Sequence, residues 1–127
     1  MPKILIVDDE PKMRMLLEET LEKLEDEGVD LLTAGNGKDA LEIIMTKKPE
    51  LVILDVRMPG MSGLEVCNTV KNVLGMKDIY VLMLTANTQE VDKQKGIDVG
   101  ADIYITKPFN PKEIIKKAAK VLEIEIY

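Results

Sequence analysis

The chain has no histidine among its 127 residues. That absence removes Ser-His-Asp and Cys-His catalysis and argues strongly against a zinc site. A single cysteine, Cys67, excludes an internal disulfide. No apolar run is long enough to span a bilayer. The N-terminus MPKILIVDDE has a short apolar stretch that ends in three acids, which is the wrong layout for a signal peptide. Basic charge is scarce too: 17 Lys and Arg stand against 23 Asp and Glu, for a net charge of −6. A dedicated nucleic-acid binder needs a basic face to offset phosphate repulsion, so direct nucleic-acid binding is not expected. Neither GxGxxG nor GxxxxGK[ST] occurs, which argues against a nucleotide site. What is left for chemistry is carboxylates, hydroxyls, lysines and a hard metal, in a cytoplasmic location by default.

What is present is the composition of a soluble globular protein, 46% hydrophobic and 31% charged, in a length that suits one domain over 1–127. Two periods alternate along it. Short apolar runs at Ile4–Val7, Leu31–Leu32, Leu51–Leu54, Tyr80–Leu84 and Ile103–Ile105 predict strands. Segments of helical period separate them. In PKMRMLLEETLEKLEDEG the positions Met13, Leu16, Leu17, Leu21 and Leu24 predict one inward face, with Pro11 in the first turn and Gly28 at the end of the helix or in the loop just after it. GKDALEIIMTKKP repeats the pattern through Leu41, Ile44 and Met45. SGLEVCNTVKNVLG does so through Leu64, Cys67, Val70, Val73 and Leu74, with Ser62 as N-cap. NPKEIIKKAAKVL has Asn110 as cap, Pro111 at the first position, and Ile114, Ile115, Ala118 and Leu122 facing inward. TQEVDKQKGIDVG, residues 88–100, has few apolar anchors and an interior Gly96, and predicts the least stable helix. The terminal EIEIY either extends the last helix or forms a linker.

Five strands alternating with five helices predict a flavodoxin-like (βα)5 α/β fold. Its doubly wound parallel sheet has strand order 2-1-3-4-5, with helices on both faces. Ligands bind such sheets at the carboxyl ends of the strands. The first strand ends on Asp8-Asp9-Glu10, the third on Asp55, the fourth on Thr85 and the fifth on Lys107. The third poses a question, because in LVILDVRMPGMSGLE a strand with four apolar residues in a row delivers a carboxylate at its last position. Singly, each residue has an ordinary alternative: a strand-end turn for Asp8 and Asp9, a cap for Asp55, a strand position for Thr85, a surface charge for Lys107. Together they fall at one end of their strands, in an order this topology brings together. Crowded carboxylates repel unless a cation sits among them, and hard oxygen ligands select Mg²⁺, with Mn²⁺ as a substitute. A divalent ion and Lys107 neutralise an incoming phosphoryl group while Asp55 attacks phosphorus and the Thr85 hydroxyl meets a phosphoryl oxygen.

The set VDDE (7–10), LDVRMPGMSGLE (54–65), LTAN (84–87) and GADIYITKPF (100–109) resembles the receiver domain of bacterial two-component response regulators, over essentially the whole chain. The resemblance implies that Asp55 is the phosphoacceptor, fed by a sensor histidine kinase or a phosphotransfer protein. It implies that Asp8, Asp9 and Asp55 hold Mg²⁺ with the backbone carbonyl of Arg57, and that Lys107, before a cis Pro108, contacts the phosphoryl group. Thr85 and Tyr104 become a switch pair, although a plain packing role for Tyr104 is an equal alternative from its place on an edge strand. Arg57 and Asn87 become the positions that tune the aspartyl phosphate lifetime, and Arg57 either screens the phosphoryl group or reaches into solvent. Phosphorylation is then expected to repack the surface of residues 88–100, the fifth strand and the last helix.

Two other classes compete. A phosphohydrolase with an aspartyl nucleophile usually carries a second Asp two residues on; Arg57 stands there, and no cap domain is present. A phosphorylation-independent interaction module has no need of the full set Asp8, Asp9, Asp55, Thr85 and Lys107. The expectation is a non-enzyme whose catalysis is limited to its own phosphorylation and dephosphorylation. It would act on a downstream protein target or on an output domain absent from this chain, as a monomer or as a phosphorylation-dependent dimer, without a membrane.

Overall fold

The computed structural model describes residues 1–86 and 99–125. Five strands, β1 (Lys3–Val7), β2 (Asp30–Ala34), β3 (Leu51–Asp55), β4 (Tyr80–Thr85) and β5 (Ile103–Thr106), form one sheet of order β2-β1-β3-β4-β5. All four pairings are parallel. The runs predicted as strands are these strands, extended by at most two residues at an end. The reason is burial on both faces: Ile4 to Val7 and Leu51 to Leu54 are buried and apolar, and β3 carries a charge at its last residue, Asp55.

Alternation along the strands sorts their side chains into two cores. On one face Leu5, Val7, Val52, Leu54, Val81 and Met83 pack against α3 (Gly37–Lys47) and α4 (Gly63–Asn68). On the other, Ile4, Ile6, Ile53, Leu82, Leu84 and Ile105 meet α1 (Pro11–Thr20), α2 (Glu22–Asp26) and α5 (Pro111–Leu122). The first predicted helix is thus two, broken at Leu21, and it ends before Gly28 at φ +95°. Ser62 and Asn110 are the N-caps, accepting from the amides of Glu65 and Lys112. The last helix stops at Leu122, because Glu123 turns left-handed and Ile124 folds back onto the core. Of the helix predicted over 88–100, residues 88–98 lie outside the described residues, and 99–100 form a turn.

The inward faces need correction at four positions. Leu16 and Met45 are 44% and 50% exposed, because each helix lays a narrow stripe on a flat sheet and these residues flank it. Val73 and Leu74 are exposed for another reason. After α4 the helix widens into a π turn over Thr69–Val73, with the Leu74 amide donating to the Thr69 carbonyl at 2.8 Å. One added residue in a turn shifts everything after it by about 100°. Lys71 therefore takes an inward place and is buried, while Val73 turns out to 70% exposure.

Candidate functional site

The carboxyl end of the sheet gathers the charged residues. Asp8 follows β1 directly, and its amide donates to the Ala34 carbonyl at the end of β2. Its side chain is fully buried, with Oδ1 accepting from the Glu10 amide at 2.9 Å. Asp55 closes β3 and is 5% exposed. The amide of Arg57 points back at Asp55 Oδ1, 3.3 Å away. Lys107 follows β5, and its amide donates to the Thr85 carbonyl at 2.7 Å, which ties the ends of the last two strands together. The Lys107 Nζ then lies 3.4 Å from Asp8 Oδ2 and 3.3 Å from Asp55 Oδ2. One ammonium thus bridges the carboxylates of two different strands. The Lys107–Pro108 peptide is cis, as the resemblance implied.

The strand ending on Asp55 is also held from below. Gly63, the first residue of α4, has no room for a Cβ, which would overlap the Asp55 carbonyl oxygen. Its amide donates to the Val56 carbonyl at 2.9 Å. Gly60 supplies a left-handed turn at φ +76° in the loop between. The loop therefore folds back tightly and seats the helix start directly on the backbone of Asp55.

Burial pushes the Asp55 carboxyl above its usual range, the Lys107 ammonium opposes that, and Asp8 adds to it. Burial pulls Lys107 down, but Asp55 and then Asp8 outweigh it, and the amine ends above its ordinary value. Lys107 is therefore a fixed cation at neutral pH, beside a carboxylate that is unusually basic.

The donor chemistry fits a hard divalent ion. Asp8, Asp9 and Glu10 bring carboxylate oxygens within 4.8 Å of one another, with Asp8 buried and Glu10 exposed. Four carboxylates including Asp55 share this rim, and oxygen-only donor sets favour Mg²⁺. The expected trio was Asp8, Asp9 and Asp55. In the structure Glu10 completes the close trio, and Asp55 connects to Asp8 through Lys107. Glu10 was visible in the acidic run; its closeness depends on the Asp8 turn, which the sequence pattern does not show.

Thr85 ends β4, is 2% exposed, and pairs with Thr106. Tyr104 pairs with Met83 on the neighbouring strand and is half-buried against the α3 and α4 side. Alternation puts Thr85 and Tyr104 on the same face of adjacent strands. Ile103 and Ile105 face the other core, as expected. Asn87 lies outside the described residues. Two contributors carried no sequence signal: Gly63, and Arg14, whose Nη1 donates to the Asp8 carbonyl at 2.7 Å. Both act through backbone contacts across a turn, which periodicity does not encode.

Comparison with known proteins agrees with this arrangement. The family model described as the response regulator receiver domain matches residues 4–119. The alkaline phosphatase synthesis transcriptional regulatory protein PhoP of Bacillus subtilis is 43% identical over 120 residues, which is 94% of this chain and 48% of that protein. The chain thus spans about half the length of that relative. Among solved structures, chemotaxis protein CheY4 of Vibrio cholerae superposes with a TM-score of 0.83 at 36% identity, covering 95% of this chain and 98% of that one. The BeF3-activated receiver domain of DrrB, from Thermotoga maritima, gives 0.84 at 32% identity, covering 97% and 98%. With the fold, the strand-end residues and the match over 4–119 in agreement, the chain belongs to the family of response regulator receiver domains of two-component systems.

Proposed function

We propose that this receiver accepts a phosphoryl group on Asp55 in a Mg²⁺-dependent reaction, from a sensor histidine kinase or a phosphotransfer protein. The observation that carries this reading is the Lys107 ammonium within 3.4 Å of both Asp8 and Asp55. A fixed cation there supports the reading, because it would offset the charge that develops on a phosphoryl oxygen. An Asp55 oxygen attacks phosphorus, the bond from phosphorus to the donor atom breaks, and the donor leaves with the electron pair. Asp8 and Asp9 would hold Mg²⁺ with Asp55 and the Arg57 carbonyl; when bound, the ion supplies positive charge against the phosphoryl oxygens. Glu10, whose oxygen lies close to theirs, joins that acidic rim. Thr85, at the end of β4, supplies a hydroxyl to the phosphoryl group, and Tyr104 on the same face responds. The description of DrrB as BeF3-activated supports a two-state receiver here.

Catalysis is confined to the chain's own phosphorylation and slow dephosphorylation, tuned by Arg57 and Asn87. The altered surface of residues 88–100, β5 and α5 then controls a downstream protein or an output domain, in the cytoplasm. The test is intact-mass spectrometry after incubation with acetyl phosphate, with and without Mg²⁺, for wild type and Asp55→Asn. One phosphoryl adduct that needs both Mg²⁺ and Asp55 is expected. No adduct and no phosphate release would sink the reading in favour of a phosphorylation-independent module.

A further inference from the structure

Arg14 has no place in the chemistry above, yet it reaches the heart of the acidic turn. It sits on the first turns of α1, where side chains lean back toward the helix N-terminus. Its Nη1 donates to the backbone carbonyl of Asp8 at 2.7 Å. The guanidinium lies against Gly35, where an added Cβ would stand 3.1 Å from Nη1. Gly35 directly follows Ala34, whose carbonyl accepts from the Asp8 amide. The peptide on either side of Asp8 is therefore fixed: the amide by the end of β2, the carbonyl by Arg14.

We infer that Arg14 is a positioning residue for the divalent ion. It locks the Asp8–Asp9 peptide so that both carboxylates are presented together, and Gly35 is the gap that lets it do so. The carbonyl that Arg14 holds belongs to the peptide leading into Asp9, so its orientation sets where the Asp9 side chain departs. Without that bond, the Glu10 amide and Lys107 are what oppose the repulsion between Asp8, Asp9 and Glu10 among the described residues. The guanidinium also carries a charge of the same sign as the ion. Positioning and charge thus predict opposite effects on affinity, which makes the role decidable. The inference rests on the receiver reading.

The experiment is a calorimetric titration of MgCl2 into the chain as wild type, Arg14→Met and Gly35→Ala, with the Mg²⁺ dependence of acetyl phosphate labelling measured alongside. Residues that orient metal ligands typically change metal affinity about ten- to a hundredfold. Arg14→Met is expected to raise the Kd for Mg²⁺ about tenfold. Gly35→Ala, which crowds the guanidinium while leaving it in the chain, is expected to raise it in the same direction by less. The loss should appear in the Mg²⁺ concentration at half-maximal labelling far more than in the maximal rate. An unchanged Kd in whichever variant folds overturns the inference. A lowered Kd for Arg14→Met does so too, and leaves the guanidinium as a charge that opposes the ion. A wild type that binds no Mg²⁺ is a different result, because it removes the Mg²⁺-dependent phosphoacceptor reading and the inference with it.

Discussion

Cys67 shows how far a single residue can be followed. Its spacing with Leu64 and Val70 marked it as a core position, and the structure buries it completely. Burial pushes its thiol up to about 11, with Lys71 opposing and Asp102 reinforcing the shift. The folded chain is therefore expected to resist iodoacetamide at pH 8, and alkylation should track unfolding, as read by mass spectrometry across a urea series. The stability consequence has a definite sign. Between pH 9 and about 11 the unfolded chain releases this proton while the folded chain keeps it, so stability falls as pH rises through that window. Lys107 and Tyr80 are also raised, so the comparison must be with Cys67→Ala, in which the urea midpoint should fall less steeply. At this scale the sequence disclosed Asp8, Asp55, Thr85 and Lys107, because chemically costly residues ended apolar runs. It did not disclose Arg14 or Gly63, whose roles are contacts with a backbone elsewhere in the chain.

At the scale of elements, the strands were legible and one helix was not. Strands buried on both faces leave unbroken apolar runs, but a π turn leaves no mark in hydrophobic spacing. Its product is the ion pair of buried Lys71 with Asp102, 2.8 Å apart, at the far end of β5 from Lys107. Lys71 Nζ also donates to the Lys77 carbonyl, and Asp102 Oδ2 accepts from the Val81 amide. The two partners are not equivalent, since the lysine side chain is 6% exposed and the aspartate 32%. Asp102→Ala leaves an ammonium buried without its counter-charge and should cost about 3 kcal/mol. Lys71→Met leaves a carboxylate that still reaches water and the Val81 amide, with a cost of about 1 kcal/mol. Equal losses in urea unfolding would show that the two ends share one environment.

For the molecule as a whole, two periods in the sequence led to a sheet with two cores, and the strand order followed from the rules of parallel crossovers. The balance of charge at the rim then sets a global response. If the acidic turn binds Mg²⁺ only when folded, ion at a hundred times its Kd stabilises the chain by about 2.7 kcal/mol. For a domain of this size that is a rise in Tm of roughly 10 °C, readable by differential scanning calorimetry. Asp55→Asn should shrink the rise, because a ligand is lost while Asp8 and Asp9 remain. A Tm indifferent to Mg²⁺ would mean that the folded rim holds no ion.

The contact of Gly63 with the Asp55 carbonyl bears on all three scales. The backbone of Asp55 is wedged between a helix start on one side and the ladder to β4 on the other, where the Val56 amide donates to the Leu84 carbonyl. A group added to its side chain therefore meets a residue that has nowhere to recoil. Its nearest charged neighbour is Lys107, whose ammonium stands 3.3 Å from Asp55 Oδ2 and whose amide is bonded to the Thr85 carbonyl, so a change at that side chain would reach the ends of β4 and β5 through a single residue.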